Sequence, residues 1–196
     1  MELLTKLLRI AVRLRSGARS GILGVLCIAV VPGVVIAAEA DSLEYAVKAA
    51  FLSKFGLYVQ WPDRAFSSPS SAVNLCIVGE NPFGTMLDEA VNGQRIGGRT
   101  IVIKRLKAIT RDSGCHIVYL GNAEAQRTGQ TIEMLRGSSV LTVTDTHDPG
   151  AAAGIINFVI KDNRVRFDID EEAAAQNGLT ISSKLLGLAL NVKPRH

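Results

Sequence analysis

The chain has 196 residues and a net charge of +4 at pH 7, from 22 basic and 18 acidic side chains. Residues 1–40 hold five of the basic and two of the acidic side chains, which leaves 17 basic against 16 acidic residues in the remainder. This near-neutral balance, with no clustered Lys and Arg motif, excludes a nucleic-acid-binding protein.

The first 40 residues have the order of a secretory signal peptide. Residues 1–20 are basic, residues 21–37 carry no charge, and Ala38-Glu39-Ala40 fits a small-x-small cleavage site. We therefore expect export with loss of residues 1–40, which leaves a periplasmic protein that begins at Asp41. The alternative is an uncleaved membrane anchor, although the apolar run of 17 residues is short for a spanning helix and contains Pro32-Gly33.

A helix is predicted directly after this leader. Apolar residues at spacings of three and four define one buried face: Tyr45, Ala49, Leu52, Phe55 and Val59. A second apolar face predicts that the helix is covered on two sides: Val47, Phe51 and Tyr58. Asp41 or Ser42 can cap its start, and Pro62 prevents it from continuing.

Strands and helices alternate over the rest of the chain. Strands are predicted at 73–79, 100–106, 115–121, 140–144, 155–160 and 164–168, and helices at 81–91, 123–135, 170–176 and 182–190. Asp162-Asn163 separates the last two strands and is typical of a hairpin turn. This order predicts one α/β domain over residues 41–196, with a mostly parallel sheet of five to six strands flanked by helices and a late antiparallel hairpin.

Two cysteines remain after the leader, Cys76 in the first of these strands and Cys115 at the start of the third. In an exported protein an even pair is most simply a disulfide, which would close a loop of about 40 residues. Two buried thiols are the alternative. Neither cysteine has the companion spacing of a metal site.

The sequence has little that indicates catalysis, and we predict no enzyme activity, cofactor or metal. Asp145, His147 and Asp148 form the only compact group of acid-base residues, and they are more typical of a polar turn. Gly79 and Gly121 end strands, but neither begins a phosphate-binding motif.

Several motifs in consistent order nevertheless resemble one family. They are the helix from Tyr45 to Pro62, the stretch Leu75 to Gly79 followed by Asn81 to Gly84, the stretch Gly114 to Leu120, and the closing segments 154–158, 165–169 and 178–186. Together they resemble the YfiR-like family of periplasmic repressors and cover nearly all of residues 41–196. Residues 144–150 contain no cysteine, whereas some members of that family carry a second pair there.

The resemblance implies a repressor that binds the periplasmic part of an inner-membrane diguanylate cyclase and holds it inactive, which lowers cyclic di-GMP and biofilm formation. It also implies that an OmpA-like outer-membrane lipoprotein relieves the inhibition; homodimer formation is left open. For the partner-binding surface we select Arg64 and Phe66 in the loop after Trp61, and Ala174 and Leu179 in the late segment. The alternative function is a periplasmic small-ligand receptor that uses a crevice at the carboxyl ends of the strands.

Overall fold

An eight-stranded mixed β-sheet is the centre of the fold, which the computed structural model describes for residues 34–121, 125–146 and 150–195. The strands in these ranges are β1 (Val59–Gln60), β2 (Val73–Val78), β3 (Arg95–Ile96), β4 (Arg99–Leu106), β5 (Ile117–Leu120), β6 (Leu141–Thr144), β7 (Ile156–Lys161), β8 (Arg164–Asp170), β9 (Thr180–Ile181) and β10 (Val192–Lys193). The sheet order is β10-β8-β7-β6-β5-β2-β4-β3, and β1 and β9 form a separate antiparallel pair.

Five α-helices accompany the strands in the described ranges: α1 (Val34–Phe55), α2 (Met86–Val91), α3 (Ala125–Leu135), α4 (Glu171–Gln176) and α5 (Ser183–Leu186). Three short 3-10 helices lie at Gly56–Tyr58, Asp63–Ala65 and Arg111–Ser113. Asp170 caps α4 by accepting a hydrogen bond from the backbone N–H of Ala173 at 2.8 Å, and Ser182 caps α5 in the same way from Leu185.

The predicted fold class is confirmed. Strands β4, β2, β5, β6 and β7 run parallel, and β7 and β8 form the antiparallel hairpin. Its turn residues Asp162 and Asn163 have φ values of 51° and 56°, which a two-residue hairpin turn of this hand requires. Six strands have four or more residues, as expected, and the sheet reaches eight because two-residue strands β3 and β10 add to its edges.

Both faces of the sheet are covered, because successive side chains of a strand point to opposite faces. Leu75 and Ile77 of β2 pack with Leu52 and Phe55 of α1 in the larger core. Cys76 between them packs in a smaller core with Leu135 of α3. This two-sided burial explains why the central strands β2 and β5 are mostly apolar instead of alternating.

Two helices begin elsewhere than predicted. Helix α1 begins at Val34, so Asp41 and Ser42 lie within it and do not cap it; the Ala-rich segment before them contains no helix-breaking residue. Helix α2 begins at Met86 and not at Pro82, because Asn81 accepts a hydrogen bond from the N–H of Phe83 in a turn and Gly84 has a φ of 53°.

The predicted signal peptide lies mostly outside the described residues. Only residues 34–40 of it are described, and they are helical. In the described part of the chain no helix combines the length and apolar character needed to cross a membrane. Export and cleavage therefore stay predictions.

The structure joins Cys76 and Cys115 in a disulfide with a Cα–Cα distance of 5.9 Å and a sequence separation of 39. The bond lies in the smaller core, where Cys76 is fully buried and Cys115 is 8 % exposed. It ties β2 to the segment that enters β5, its neighbour in the sheet.

Replacement of both Cys76 and Cys115 by Ala should lower the free energy of unfolding by about 3–4 kcal/mol, because the unfolded chain regains the entropy of a closed loop. We expect the melting temperature to fall by roughly 6–14 °C. In differential scanning calorimetry, a reductant should lower the melting temperature of the wild type to that of the double variant and leave the variant unchanged. Alkylation of both native cysteines without reductant would contradict the bond.

Candidate functional site

A lysine on α1 is completely buried and forms the centre of an ion cluster. Lys48 has no exposed surface, and its Nζ lies 2.8 and 2.7 Å from the two carboxylate oxygens of Asp145, which directly follows β6 and is 2 % exposed. Glu44, one turn earlier on α1, accepts a further hydrogen bond from the same Nζ. Buried charges of this kind require such partners, since an isolated one costs several kcal/mol.

Two tyrosines complete the cluster. The Tyr119 hydroxyl on β5 donates to Asp145 at 3.1 Å, and the Tyr45 ring lies 4.9 Å from Lys48 Nζ. Burial, followed by the Asp145 charge, raises the pKa of both tyrosines, so they stay neutral donors.

The ion cluster also changes the titration of the lysine. Burial lowers the pKa of Lys48, but the hydrogen bonds that Lys48 donates to Asp145 and Glu44 more than compensate and leave the pKa above the usual 10.5. Because the pKa of Lys48 is higher in the folded protein, the titration of Lys48 contributes stability that is fully present below pH 10.5. That stabilisation is lost as the pH rises through the folded-state pKa.

Sequence reasoning assigned Asp145 to a polar turn and missed Lys48. The structure instead pairs these two side chains across 97 residues. His147 and Asp148, the other members of the predicted polar turn, lie outside the described residues. The available signal was a lysine set among apolar positions of α1, between Tyr45 and Leu52, with a glutamate one turn before it.

The ion cluster borders a crevice of about 1170 Å³ at the carboxyl ends of the central strands. Strand β2 leads to β4 on one side, and the chain then returns to the other side as β5. Such a reversal of strand order leaves a gap above the strand ends, where open α/β sheets bind ligands. Gly79 and Gly121 end β2 and β5 there.

The walls of the crevice combine apolar and charged groups. Tyr45 and Tyr119 line it beside the ion cluster, and Met134 of α3 contributes apolar surface. Among the described residues that line the crevice, Lys107 and Arg127 are cations and Glu80 is an acid. This set of groups favours an anionic organic molecule over a cation. Within the described residues no group of three or more His, Cys, Asp or Glu is arranged to hold a metal.

A second candidate surface is an aromatic stack at the amino ends of the strands. The Phe66 ring stacks on the His116 ring with 4.6 Å between the ring centroids. The guanidinium of Arg99, the first residue of β4, lies 3.8 Å from the Phe66 centroid. Two hydrogen bonds fix the orientation of the His116 ring. Its Nδ1 accepts a hydrogen bond from the N–H of Asn74 at 3.0 Å, so its Nε2 carries the proton and donates to the Ala65 carbonyl. Burial lowers the pKa of His116 and favours this neutral form.

Arg64 is exposed and Phe66 half-buried, and both lie at this surface. A Cβ at Gly178 would lie 3.0 Å from an Arg64 guanidinium nitrogen, so the two predicted contact segments meet. The β1–β9 pair, in which Val59 lies opposite Ile181, brings them together.

The structure does not support Ala174 and Leu179 as surface contacts. They are 0 % and 2 % exposed and belong to the larger core. Helix α4 and the turn after it pack inward, because the Asn177 side chain accepts a hydrogen bond from the N–H of Gly137 and donates one to the carbonyl of Val140.

We call the surface formed by Trp61, Arg64, Phe66 and Gly178 the aromatic patch.

Lys48→Met or Asp145→Asn alone should destabilise the fold by about 3–5 kcal/mol, because each removes one partner of a buried ion pair. The double variant should lose clearly less than the sum of the two, as measured by urea unfolding in a double-mutant cycle. Lys54→Met, which removes an exposed lysine from the same helix, is the control and should change stability little. Additive losses would show that the pair is not coupled.

Comparison with known families agrees with this architecture. The profile described as YfiR/HmsC-like matches residues 45–190, which is most of the chain. The matched range includes α1 from Tyr45 onward, the disulfide, the ion cluster except Glu44, and the aromatic patch. The chain therefore belongs to the YfiR/HmsC-like family.

Proposed function

We propose that this protein is a periplasmic repressor that binds the periplasmic part of an inner-membrane diguanylate cyclase and keeps it inactive. The family match over residues 45–190 carries the proposal, because the family is regulatory, periplasmic and associated with diguanylate cyclases. Repression lowers cyclic di-GMP and biofilm formation. An OmpA-like outer-membrane lipoprotein relieves it by sequestering the repressor.

The aromatic patch is the surface that we assign to the cyclase. Arginine and aromatic side chains are enriched at the centres of interfaces, and rigid aromatics lose little entropy on binding. Phe66 is held between Arg99 and His116, so it is already ordered before binding.

Arg64→Glu should raise cyclic di-GMP in cells to the level of a strain that lacks the gene, because charge reversal at an interface centre costs at least about 2 kcal/mol, or roughly 30-fold in affinity. Cyclic di-GMP is measured by mass spectrometry, and the effect should vanish when the cognate cyclase is also deleted. Arg164→Glu, an equally exposed arginine on the β7–β8 hairpin, is the matched control.

Both variants should keep the wild-type melting temperature. Normal repression by Arg64→Glu would refute the patch and leave the repressor function standing. Unchanged cyclic di-GMP in the gene deletion, with the cyclase present and expressed, would refute the repressor function itself.

The crevice supports a second candidate function, that of a small-ligand receptor. Its position at the reversal of strand order, together with the exposed Lys107 in its wall, favours an organic anion. The two functions are compatible if the bound anion changes the affinity for the partner.

A panel of carboxylate and phosphate metabolites should contain one that raises the melting temperature, because binding to the native state stabilises it by mass action. Lys107→Glu should abolish the increase, whereas Lys161→Glu, an exposed lysine on β7, should preserve it. An increase that survives Lys107→Glu would place the ligand elsewhere.

A further inference from the structure

The two nitrogens of the buried His116 ring connect the sheet to the loop that carries the aromatic patch. Nδ1 accepts a hydrogen bond from the backbone N–H of Asn74, near the start of β2, and Nε2 lies 3.0 Å from the Ala65 carbonyl in the loop before that strand. Ala65 ends a short 3-10 helix, and Phe66 follows it directly. The ring therefore holds the loop with Arg64 and Phe66 against the sheet.

The His116 ring also packs against this loop with its face. It is stacked on Phe66 with an interplanar angle of 15°, and His116 is only 7 % exposed. Phe66 in turn contacts Trp61 in a T-shaped arrangement, with 6.4 Å between the ring centroids. A change in the position of His116 is therefore transmitted to Phe66 and Trp61, two members of the aromatic patch.

Only the neutral His116 ring fits this arrangement. A nitrogen that accepts a hydrogen bond cannot carry a proton at the same time, so an imidazolium would lose the bond from Asn74 and direct its own N–H toward another N–H. The Asn74 N–H lies at the junction of two strands, where loss of its acceptor is costly. The Phe66 ring favours a cation beside it, but a cation–π contact is weaker than the hydrogen bond and the hydration that the charged ring would forgo.

The charged groups around the His116 ring also oppose its protonation. The loop and β2 contact the ring through uncharged groups, whereas β4 supplies the cations Arg99 and Lys104. Burial first, and these two charges in addition, lower the pKa of His116 below the usual 6.5, and the hydrogen bond to Ala65 opposes this only in part. In a released loop the ring is solvated, and its pKa returns toward 6.5.

The difference between these two pKa values determines the direction of the pH effect. Because the released form binds the proton more tightly, the closed form of the loop is fully favoured above pH 6.5. Its advantage is lost as the pH falls from 6.5 through the pKa of the closed form. A single proton shifts the ratio of the two forms by up to about tenfold for each pH unit in this range.

We propose that His116 is an acid-sensitive latch for the aromatic patch: its protonation releases the loop with Arg64 and Phe66 and weakens partner binding. The release follows from the contacts of the ring alone, whereas its effect on a partner rests on the proposed repressor function. Histidine suits this task because its charge changes between about pH 5 and 8. Mild acid thus frees the cyclase and raises cyclic di-GMP.

The fluorescence of Trp61, the single tryptophan of the chain, tests the release of the loop. We expect its emission to move to longer wavelength between pH 6.5 and about 5 while the far-UV circular dichroism stays constant, because the loop opens and the sheet does not unfold. His116→Gln should remove this transition, since glutamine can still donate to Ala65 but does not titrate. His147→Gln changes another of the three histidines and should keep the transition.

NMR of the wild-type protein measures the same event without a variant. The His116 imidazole should titrate below pH 6.5, and the Asn74 amide should shift with the same midpoint because its acceptor is lost. A pKa of His116 at or above 6.5 would overturn the latch. A ring that stays neutral down to about pH 5, or a Trp61 transition that survives His116→Gln, would overturn it as well.

Binding of the periplasmic part of the cyclase tests the effect on the partner. The affinity of the wild type should fall several-fold, by up to about tenfold, from pH 6.5 to about 5.5. The affinity of His116→Gln should stay constant, which also corrects for titration of the cyclase itself. A wild type that opens its loop but binds equally at both pH values contradicts the regulatory role. A wild type that does not bind even at about pH 7.5 contradicts the repressor function instead, and the Trp61 transition then still decides whether the latch exists.

Discussion

The ion pair between Lys48 and Asp145 is the interaction on which the rest of the structure depends. It joins the middle of α1 to the end of β6 in a region that excludes water, where an unpaired charge would be costly. Apolar packing alone allows a helix to slide over a sheet in small steps. A buried ion pair with one geometry fixes the position of α1, and with it the position of everything that α1 carries.

Two surfaces depend on that position. Near its middle, α1 places Tyr45 in the wall of the crevice, and its end leads into β1 and the aromatic patch. Strand β5 connects the same two regions, since His116 directly precedes it and Tyr119 lies near its end. A ligand in the crevice would therefore touch residues of the two elements that also support the patch. Because α1 and β5 are shared by the crevice and the aromatic patch, a ligand bound in the crevice could change the geometry of the patch.

Local patterns predicted most of the fold and little of the site. The strands, the hairpin and the disulfide follow from apolar runs, turn residues and the cysteine count. The ion pair does not, because nothing in the neighbourhood of Lys48 identifies a partner 97 residues away. Ala174 and Leu179 flank a polar Asn-Gly turn and so resemble exposed residues, but the β1–β9 pair and the bonds of Asn177 draw that segment into the core. Asn81 can cap a helix or close a turn, and only the tertiary fold selects the turn.

The disulfide determines how the domain would transmit mechanical tension. When tension is applied to the two ends of the chain, the disulfide carries it directly from Cys76 to Cys115. The 39-residue span between the two cysteines is therefore not loaded. That span, which is about 130 Å when fully extended, is hidden length that cannot be released while the bond is intact. It contains α2 and β4, whereas α1 and the aromatic patch lie on the loaded path. Tension applied to the two ends of the chain would thus put no load on the backbone of α2 and β4 while the disulfide is intact.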